Sequence, residues 1–360
     1  MKIASIVGAR PEFIQAVPVS QALRERHNEV LIHTGQHYDY KMSQSFFDDL
    51  RLPHPSYNLE VGSGAHGTQA AQIMMRLEEV LIKEKPDIVL VRGDTNSTLA
   101  SAIVASKLHI PLVHVEAGER SYNRHMPEEI NRLVADILAD LHLCASPTAV
   151  RRLAAEGITE SVRWVGDVMY DIMCKLDPIA QMRSKILEQL GVKPKIYSLV
   201  TVHRSENTDV PERLKQIVDA LNNIQERIVF PIHPRTKKML MEIGATFYSN
   251  VQVIEPVGYF DMLLLEKNAR LIATDSGGVQ REAYFHGIPC LTLRDETEWV
   301  DTVLVGWNIL VGANKSKIIE NWFNFNPPKE RPEIFGNGHA GEKIVSTIEH
   351  WDFKQSHPSE

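Results

Sequence analysis

Cysteine is scarce in this chain. The three cysteines, Cys144, Cys174 and Cys290, are an odd number and show neither the paired spacing of a zinc site nor a Cys-x-x-Cys redox motif. This pattern excludes a scaffold held together by disulfides. Cys144 and Cys290 lie in apolar runs, so we expect them to be small core residues of a protein in the reducing cytoplasm.

The chain also lacks a long hydrophobic segment and an excess of basic charge. No run approaches the ~18 apolar residues of a membrane span. The sequence Gly-Ala-Arg-Pro interrupts the N-terminal segment before it could form a signal peptide. The 39 basic and 46 acidic side chains give a net charge of −7, without the basic footprint of a nucleic-acid binder. We therefore expect no membrane and no nucleic-acid partner, and any anionic ligand must be bound by a local site.

The chain does contain a regular alternation of strand-like and helix-like segments. Its 360 residues are enough for two domains. Short apolar runs separated by amphipathic stretches predict an α/β fold with parallel sheets that are covered on both faces. The predicted organisation is a Rossmann-like, doubly wound domain over 1–170, a linker region over 171–195, a second such domain over 196–350 and a tail over 351–360. The predicted strands are 3–9, 29–35, 87–94, 112–118, 141–146, 161–167, 196–203, 227–233, 251–256, 270–277, 289–295 and 308–312.

Ligands of doubly wound sheets bind outside the carboxyl ends of the strands, so the residues that follow each strand are the candidates for chemistry. Arg10 follows the first strand and either meets a phosphate or pairs with Glu12 in a tight turn. Asp94 follows the third strand as an acid or a helix cap. Glu116 ends the fourth strand, where an acid is costly unless it is paired or used. Glu128 begins the next helix and either complements the helix dipole or joins the other acids in proton transfer.

The second half of the chain supplies candidates for anion binding. His203 follows the first strand of the second series. Ser276, Gly277 and Gly278 lead from a strand into a helix, where two glycines and a hydroxyl let backbone N–H groups approach an anion. The alternative interpretation is that Ser276, Gly277 and Gly278 form an ordinary turn between the strand and the helix. With Glu282 in the same helix, this segment suits a nucleoside diphosphate. Acids in one half and an anion site in the other indicate proton chemistry on a nucleotide-linked group.

Seven motifs together resemble those of the non-hydrolysing UDP-N-acetylglucosamine 2-epimerase family, in order and in approximate spacing. They are GARPEFI, GDTNST, HVEAGERS, MPEEINR, TVHRSEN, HPR and TDSGGVQREA. The resemblance implies two Rossmann-like domains arranged as in GT-B glycosyltransferases, with an interdomain cleft, a homodimer and a UDP-sugar substrate. It implies that neither a metal nor a nicotinamide cofactor is needed. Members eliminate UDP to give a 2-acetamidoglucal and add it back after a proton arrives on the opposite face of C2.

The same resemblance assigns roles to individual residues. It implies that Asp94, Glu116 and Glu128 are the acid/base carboxylates and that His203 assists the departing diphosphate. The residues implied to bind the phosphates and ribose are Arg10, Ser276, Gly277, Gly278 and Glu282.

The sequence departs from the better-known bacterial pattern at two places. Gln15 stands where that pattern has Lys, and Trp299 within Thr297–Asp301 stands where it has Arg, which removes two cations. The TEWV form resembles a branch with epimerases of UDP-2,3-diacetamido-2,3-dideoxy-glucuronate. That sugar is therefore the alternative substrate, ranked after UDP-N-acetylglucosamine because an unpaired buried carboxylate is costly. A hydrolysing epimerase, a GT-B glycosyltransferase and a catalytically silent UDP-sugar sensor are further alternatives, although the three acids favour proton chemistry.

Overall fold

The computed structural model describes residues 1–36 and 53–353, with Arg10 and Pro11 described by their backbone alone. The chain divides into two compact units. The first contains Met1–Ile172 and the chain from Glu333 onward, and the second contains Met173–Pro332.

The first unit is built on a seven-stranded parallel sheet in the order β3-β2-β1-β4-β5-β6-β7. Its strands are β1 (Lys2–Val7), β2 (Asn28–His33), β3 (Tyr57–Asn58), β4 (Ile88–Arg92), β5 (Leu112–Val115), β6 (Leu141–Cys144) and β7 (Val162–Trp164). Its helices are α1 (Arg10–Arg24), α2 (His66–Glu84), α3 (Asn96–Lys107), α4 (Pro127–Leu138), α5 (Pro147–Ala155), the start of α6 (Val168–Arg183), and α15 (Ala340–His350).

The second unit repeats this plan with a six-stranded parallel sheet in the order β10-β9-β8-β11-β12-β13. Its strands are β8 (Ser198–Thr201), β9 (Ile228–Pro231), β10 (Val251–Ile254), β11 (Ile272–Thr274), β12 (Cys290–Thr292) and β13 (Asn308–Leu310). Its helices are the end of α6, α7 (Ile186–Leu190), α8 (Ser205–Thr208), α9 (Pro211–Asn223), α10 (Pro234–Glu242), α11 (Tyr259–Asn268), α12 (Gly277–His286), α13 (Val300–Leu304) and α14 (Lys315–Asn324).

Each sheet buries both of its faces, because successive side chains of a strand point to opposite sides. On β4, Ile88 and Leu90 pack into one hydrophobic cluster, and Val89 and Val91 pack into another. Strands buried on both faces read as continuous apolar runs. This explains why the sequence reveals them, and the predicted α/β class with two doubly wound sheets is confirmed.

All twelve predicted strands are present, but each is shorter than predicted. The excess residues belong to the loops at the strand ends, where the chain turns away from the sheet. After β4 and β5, for example, Gly93 and Glu116 have φ angles of +63° and +66°. The short strand β3 was not predicted, since two residues carry no periodicity.

Two features differ from the predicted domain boundaries. Residues 171–183 of the predicted linker belong to helix α6. The chain from Glu333 onward belongs to the first unit, whereas the second domain was predicted to extend to residue 350. Helix α15 places Ile344 and Ile348 in the same hydrophobic cluster as Val19 and Leu23 of α1, and Asp171 accepts hydrogen bonds from the backbone N–H groups of its first turn. Amphipathic periodicity identifies such a helix but not the sheet that it covers.

Cys144 and Cys290 are buried in hydrophobic clusters, as predicted. A helix long and apolar enough to cross a membrane does not occur in the part of the chain that the structure describes.

Candidate active site

The carboxyl ends of β1, β4 and β5 bring the predicted acidic loops together at one edge of the first sheet. The strand order reverses between β1 and β4, which is where ligands of doubly wound sheets bind. Asp94 follows β4 and Glu116 follows its neighbour β5. Arg10 begins α1 after β1, but its side chain lies outside the described residues.

Glu12 organises the loop between β1 and α1. Its carboxylate accepts hydrogen bonds from the N–H groups of Gly8 (2.5 Å) and Ala9 (2.9 Å), and from the hydroxyls of Thr95 (2.7 Å) and Thr98 (3.3 Å). Burial raises the pKa of Glu12 although all of these donors favour the ionised form. Glu12 is therefore a structural acid that ties the first loop to the start of α3. From the sequence, Glu12 was expected only as a possible partner of Arg10 in a tight turn.

Glu116 has a strained backbone and a fixed side chain. Its φ of +66° lies in the left-handed region, which costs a residue with a Cβ of the order of 1 kcal/mol or more. The side-chain amide of Gln15 donates a hydrogen bond to Oε2 of Glu116. Gln15 stands where the bacterial pattern of the family has Lys. Its neutral amide holds the side chain of Glu116, the candidate base, and contributes no positive charge.

Asp94 is held by an arginine that the sequence analysis had not identified. Oδ2 of Asp94 accepts hydrogen bonds from Nε (3.0 Å) and a terminal nitrogen (2.5 Å) of Arg132. The same guanidinium pairs with the buried carboxylate of Glu129 at 3.1 Å. The alternative that Asp94 caps α3 is wrong, because Thr95 is the N-cap residue and accepts from the N–H groups of Ser97 and Thr98.

Glu128 lies in the first turn of α4, one residue before Glu129. Glu129 is 1% exposed and accepts hydrogen bonds from the backbone of Ser121 and Tyr122. Glu128 is half-buried and, within the described ranges, makes no hydrogen bond or ion pair. The two acids of this motif thus have different roles: Glu129 fixes the loop, and Glu128 keeps its carboxylate available.

Hydrogen bonds of the buried residues His114 and Asp136 support the edge of the first sheet at which the acidic loops lie. His114 on β5 donates through one ring nitrogen to Oδ1 of Asp136 (2.6 Å), and its other ring nitrogen lies 2.9 Å from the carbonyl oxygen of Gly93. Burial alone would raise the pKa of Asp136, but the charges of His114 and Arg120 outweigh burial and lower it. The network fixes the loop that carries Asp94.

Asp275 organises the equivalent edge of the second sheet. It follows β11, is fully buried, and accepts hydrogen bonds from the N–H groups of His203 (3.0 and 3.1 Å) and Arg204 (3.0 Å) and from the side chain of Asn207 (3.1 Å). The loop after β8, which carries the predicted His203, is therefore held by one carboxylate. Asp275 was not among the predicted site residues, although an acid directly after a buried strand indicates a candidate.

The His203 ring is partly exposed and lies beside two polar groups. Its Nδ1 is 3.7 Å from Oδ1 of Asp275, and the His233 ring lies 6.0 Å away between centroids. Burial lowers the pKa of His203 from its ordinary value, although the Asp275 charge opposes the shift. This shift favours the neutral imidazole, which can donate one hydrogen bond and accept another.

The Ser-Gly-Gly sequence forms the N-terminus of α12, as predicted. The Ser276 side chain caps the helix by accepting from the N–H of Val279 at 3.5 Å. Gly278 is exposed, and among the residues that the structure describes a Cβ there would come within 4 Å of the Ser276 hydroxyl alone, at 3.8 Å. A Cβ on Gly277 would lie 2.5 Å from Oε1 of Glu298. Gly277 thus allows the Glu298 side chain to pack against the helix start, while Gly278 leaves the N-terminus open to an anion.

A cation does lie beside the TEWV segment. The Arg281 guanidinium stacks on the Trp299 ring at 3.9 Å from the centroid, and Arg294 donates to Oε2 of Glu298 at 2.9 Å. From the sequence, Trp299 was expected to remove a positive charge from this edge of the sheet. Arg281 of the neighbouring helix α12 supplies a positive charge beside it. Glu282, the next residue of α12, accepts a hydrogen bond from the Tyr259 hydroxyl at 3.4 Å.

Known proteins resemble the chain over nearly its whole length. The family model described as UDP-N-acetylglucosamine 2-epimerase matches residues 21–349. A UDP-N-acetylglucosamine 2-epimerase homolog of Methanococcus maripaludis is 51% identical over 354 residues, which are 97% of this chain and 99% of the relative. The UDP-2,3-diacetamido-2,3-dideoxy-D-glucuronate 2-epimerase of Pseudomonas aeruginosa is 45% identical, covering 97% and 99%.

A solved structure shows the same similarity. The crystal structure of Methanocaldococcus jannaschii UDP-GlcNAc 2-epimerase in complex with UDP-GlcNAc and UDP matches with a TM-score of 0.86 and 45% sequence identity. The match covers 98% of this chain and all of the other. It confirms the GT-B-like fold class that the sequence predicted.

Proposed function

The chain belongs to the UDP-N-acetylglucosamine 2-epimerase family, and on this basis we propose that it interconverts UDP-N-acetylglucosamine and UDP-N-acetylmannosamine. In the proposed reaction a carboxylate removes the C2 proton, and the C1–O bond breaks with its electron pair passing to the β-phosphate. UDP and 2-acetamidoglucal result. Return of a proton to the opposite face of C2 and re-addition of UDP at C1 give the epimer.

One observation carries the proposal: Glu116 is held in a left-handed backbone conformation at the end of a buried strand. Glu116 is one of six described non-glycine residues with a positive φ, and we infer a functional constraint from its place directly after β5 at the acidic edge of the sheet. Asp94 and Glu128 are the other two acids of the proposed proton transfer. Their half-buried carboxylates suit it, because an acid must reach both the ligand and a proton donor or acceptor to transfer a proton.

The second unit supplies the proposed groups for UDP. The N-terminus of α12 at Ser276–Gly278 offers backbone N–H groups and the positive end of the helix dipole to the diphosphate. His203 is proposed to hydrogen-bond the departing diphosphate, and Glu282 the ribose. Arg10 is proposed as a further phosphate ligand, on the strength of its motif alone.

The assembly and location are also proposals. We propose a homodimer in the cytoplasm. The first unit exposes large apolar side chains on two helices, Met75 and Ile82 of α2 and Ile137 of α4, which are 69%, 57% and 73% exposed. Apolar side chains of this size suit coverage by a second copy.

The Pseudomonas relative supports one second candidate, epimerisation of the diacetamido-glucuronate sugar. Its identity of 45% nearly equals the 46% of the Methanocaldococcus jannaschii UDP-N-acetylglucosamine 2-epimerase, so similarity does not rank the two sugars. UDP-N-acetylglucosamine, whose sugar is uncharged, remains first, because a carboxylate on the sugar needs a cation to offset its desolvation.

A panel of UDP-sugars followed by NMR in D2O tests the proposal. We expect UDP-N-acetylglucosamine and UDP-N-acetylmannosamine each to yield the other, with deuterium at C2. Full retention of the C2 hydrogen would contradict elimination. Turnover of the diacetamido-glucuronate alone would select the second candidate. Release of UDP and free N-acetylmannosamine would identify a hydrolysing enzyme, and UDP binding without turnover would identify a sensor.

A further inference from the structure

The carboxylate of Asp136 lies beneath the edge of the first sheet at which the acidic loops meet. Asp136 is on α4 and is 1% exposed. Its Oδ1 is 2.6 Å from Nδ1 of His114, and its Oδ2 accepts a hydrogen bond from the backbone N–H of Gly118 at 3.1 Å. The two oxygens of one side chain therefore contact two parts of the chain, one on β5 and one in the loop that follows it.

Each of these contacts leads to a loop that carries a candidate acid. Nε2 of His114 lies 2.9 Å from the carbonyl oxygen of Gly93, which directly precedes Asp94. A carbonyl oxygen only accepts hydrogen bonds, so this ring nitrogen carries a proton. Gly118 follows Glu116 by two residues. Asp136 is thus linked to the Asp94 loop through the His114 ring and to the Glu116 loop directly.

Two further residues of α4 fix the Asp94 loop. The side-chain amide of Asn131 donates to the carbonyl oxygen of Asp94 at 2.8 Å, and Nε of Arg132 donates to its carboxylate at 3.0 Å. Glu128, Arg132 and Asp136 are spaced by four residues, which places them on one face of the helix. This helix face therefore carries the third candidate acid and holds the loops of the other two.

Stability alone is a weak reason for a carboxylate at this depth. Oδ2 of Asp136 lies 2.6 Å from a terminal nitrogen of Arg120, whose guanidinium also pairs with Glu156 at 2.7 Å. The cost of desolvating a buried ion pair can exceed the attraction between its charges, and apolar residues of similar volume often serve the fold as well. The contacts of Asp136 with the two acidic loops indicate a role in the geometry of the site.

We propose that Asp136 is a positioning residue: it fixes Asp94, through His114, and Glu116, through Gly118, at the spacing that proton transfer on opposite faces of C2 requires. This role rests on the proposed function, since it matters only if both acids act on one sugar. The competing explanation is that Asp136 only stabilises the fold of the first unit.

Two substitutions of Asp136 separate these explanations. Asp136→Leu keeps the approximate volume and removes both acceptor oxygens. In Asp136→Asn, the amide oxygen can still accept from Gly118 and Arg120, and the NH2 group can donate to Nδ1 of a neutral His114 ring whose Nε2–H still reaches Gly93. The asparagine variant therefore retains the hydrogen bonds that position the two loops, although it lacks the charge.

Asp140→Leu is the matched control. Oδ2 of Asp140 accepts a hydrogen bond from the backbone N–H of Leu112 at 2.8 Å. Leu112 is the first residue of β5, so this carboxylate also holds the backbone of β5, but at the opposite edge of the sheet. Both leucine variants should be less stable than wild type toward urea, and only Asp136→Leu should be impaired in the chemical step.

The epimerase assay and calorimetric titration with UDP are the test, with rates referred to the folded fraction that urea unfolding gives. We expect kcat of Asp136→Leu to fall by about 10², because a displacement of ~1 Å at a reacting group costs a factor of this order. Asp136→Asn should stay within about tenfold of wild type, and Asp140→Leu within about twofold. The Kd for UDP should stay within about twofold of wild type in every variant, because the proposed groups for UDP lie mainly in the second unit.

A further variant tests the link through the imidazole ring. In His114→Asn the side-chain amide can take the place of Nδ1 and donate to Asp136, but it is too short to reach the Gly93 carbonyl. We expect kcat to fall about tenfold with an unchanged Kd for UDP. If Asp136→Leu does not fold, this variant decides: a kcat within about twofold of wild type would contradict positioning through His114.

The outcomes are distinguishable. A kcat of Asp136→Leu within about threefold of wild type, or an equal loss of kcat in Asp140→Leu, would overturn the role of Asp136 and leave the epimerase function intact. An Asp136→Asn variant no more active than Asp136→Leu would contradict positioning by hydrogen bonds. Wild-type protein that epimerises none of the UDP-sugars would remove the proposed function and the role of Asp136 with it.

Discussion

Replacing Asp275 by asparagine tests how the second sheet holds its candidate histidine. The Asp275 carboxylate is fully buried and accepts from the backbone N–H groups of His203 and Arg204 and from the side chain of Asn207. An asparagine has nearly the same shape, but it replaces one acceptor oxygen by an NH2 group. If its oxygen keeps the bonds to Arg204 and Asn207, it also keeps the 3.1 Å bond from the N–H of His203. Its NH2 group, however, replaces the oxygen that accepts from that N–H at 3.0 Å, and the two donors repel each other.

The expected cost follows from this geometry. Hydrogen bonds to a charged group contribute about 1.5–3 kcal/mol each, and a buried donor without a partner costs a similar amount. The variant loses at least one such bond and weakens the others, so the free energy of unfolding should fall by ~2–4 kcal/mol. The loop would shift, and a displacement of the order of 1 Å at a reacting group reduces kcat by up to about 10².

Urea unfolding and the epimerase assay measure both effects. The matched control is Asp295→Asn, which removes the charge of an aspartate whose side chain is 74% exposed and pairs with Arg213 at 2.9 Å. An exposed ion pair contributes about 0–1 kcal/mol. If Asp275→Asn unfolds within ~0.5 kcal/mol of the control and keeps wild-type kcat, the carboxylate does not hold the histidine loop.

Glu116→Gln keeps the shape of the candidate base and removes its ability to accept a proton, so the epimerisation rate should fall by roughly 10²–10⁴; a rate within twofold of wild type in the NMR assay would make Glu116 structural. Arg132→Gln removes the cation that fixes Asp94. We expect kcat to fall about tenfold or more, while the Kd for UDP, measured by calorimetry, stays within twofold of wild type. An equal loss of kcat and of UDP affinity would indicate general unfolding. Burial lowers the pKa of His33 to about 4. The folded protein therefore excludes a proton that the unfolded chain binds below about pH 6.5, and its stability is complete above that pH and declines by ~1.4 kcal/mol per unit toward pH 4. His33→Gln should flatten this part of the curve in urea unfolding between pH 7 and 5, and an unchanged slope would refute the assignment.

The sequence predicted the strands well because both sheets are buried on both faces, so each central strand is a run of apolar residues bounded by Gly, Pro or charge. It also placed Asp94, Glu116, His203 and Ser276 at the carboxyl ends of strands, and in the structure each lies one or two residues after its strand. The membership of α15 in the first unit was not predictable in this way. The apolar faces of amphipathic helices look alike, and only tertiary contacts decide which sheet each one covers.

The sequence also did not predict which residues hold the site residues in place. Gln15 and Glu116 are 101 residues apart in the chain, and Asn207 and Asp275 are 68 apart. No local pattern links such positions.

Burial separates the acids that hold the fold from those available for chemistry. Glu12, Glu129 and Asp275, for example, are 0–3% exposed and accept hydrogen bonds from backbone N–H groups. The oxygens of such an acid already accept hydrogen bonds from the loop that the acid holds in place. Asp94, Glu116 and Glu128 are half-buried, and their oxygens face side chains or solvent. An acid must exchange protons with a ligand to act as acid or base, so only the second group can do so. Neighbouring acids of one motif, such as Glu128 and Glu129, therefore divide into a catalytic candidate and its support, a division that the sequence alone does not reveal.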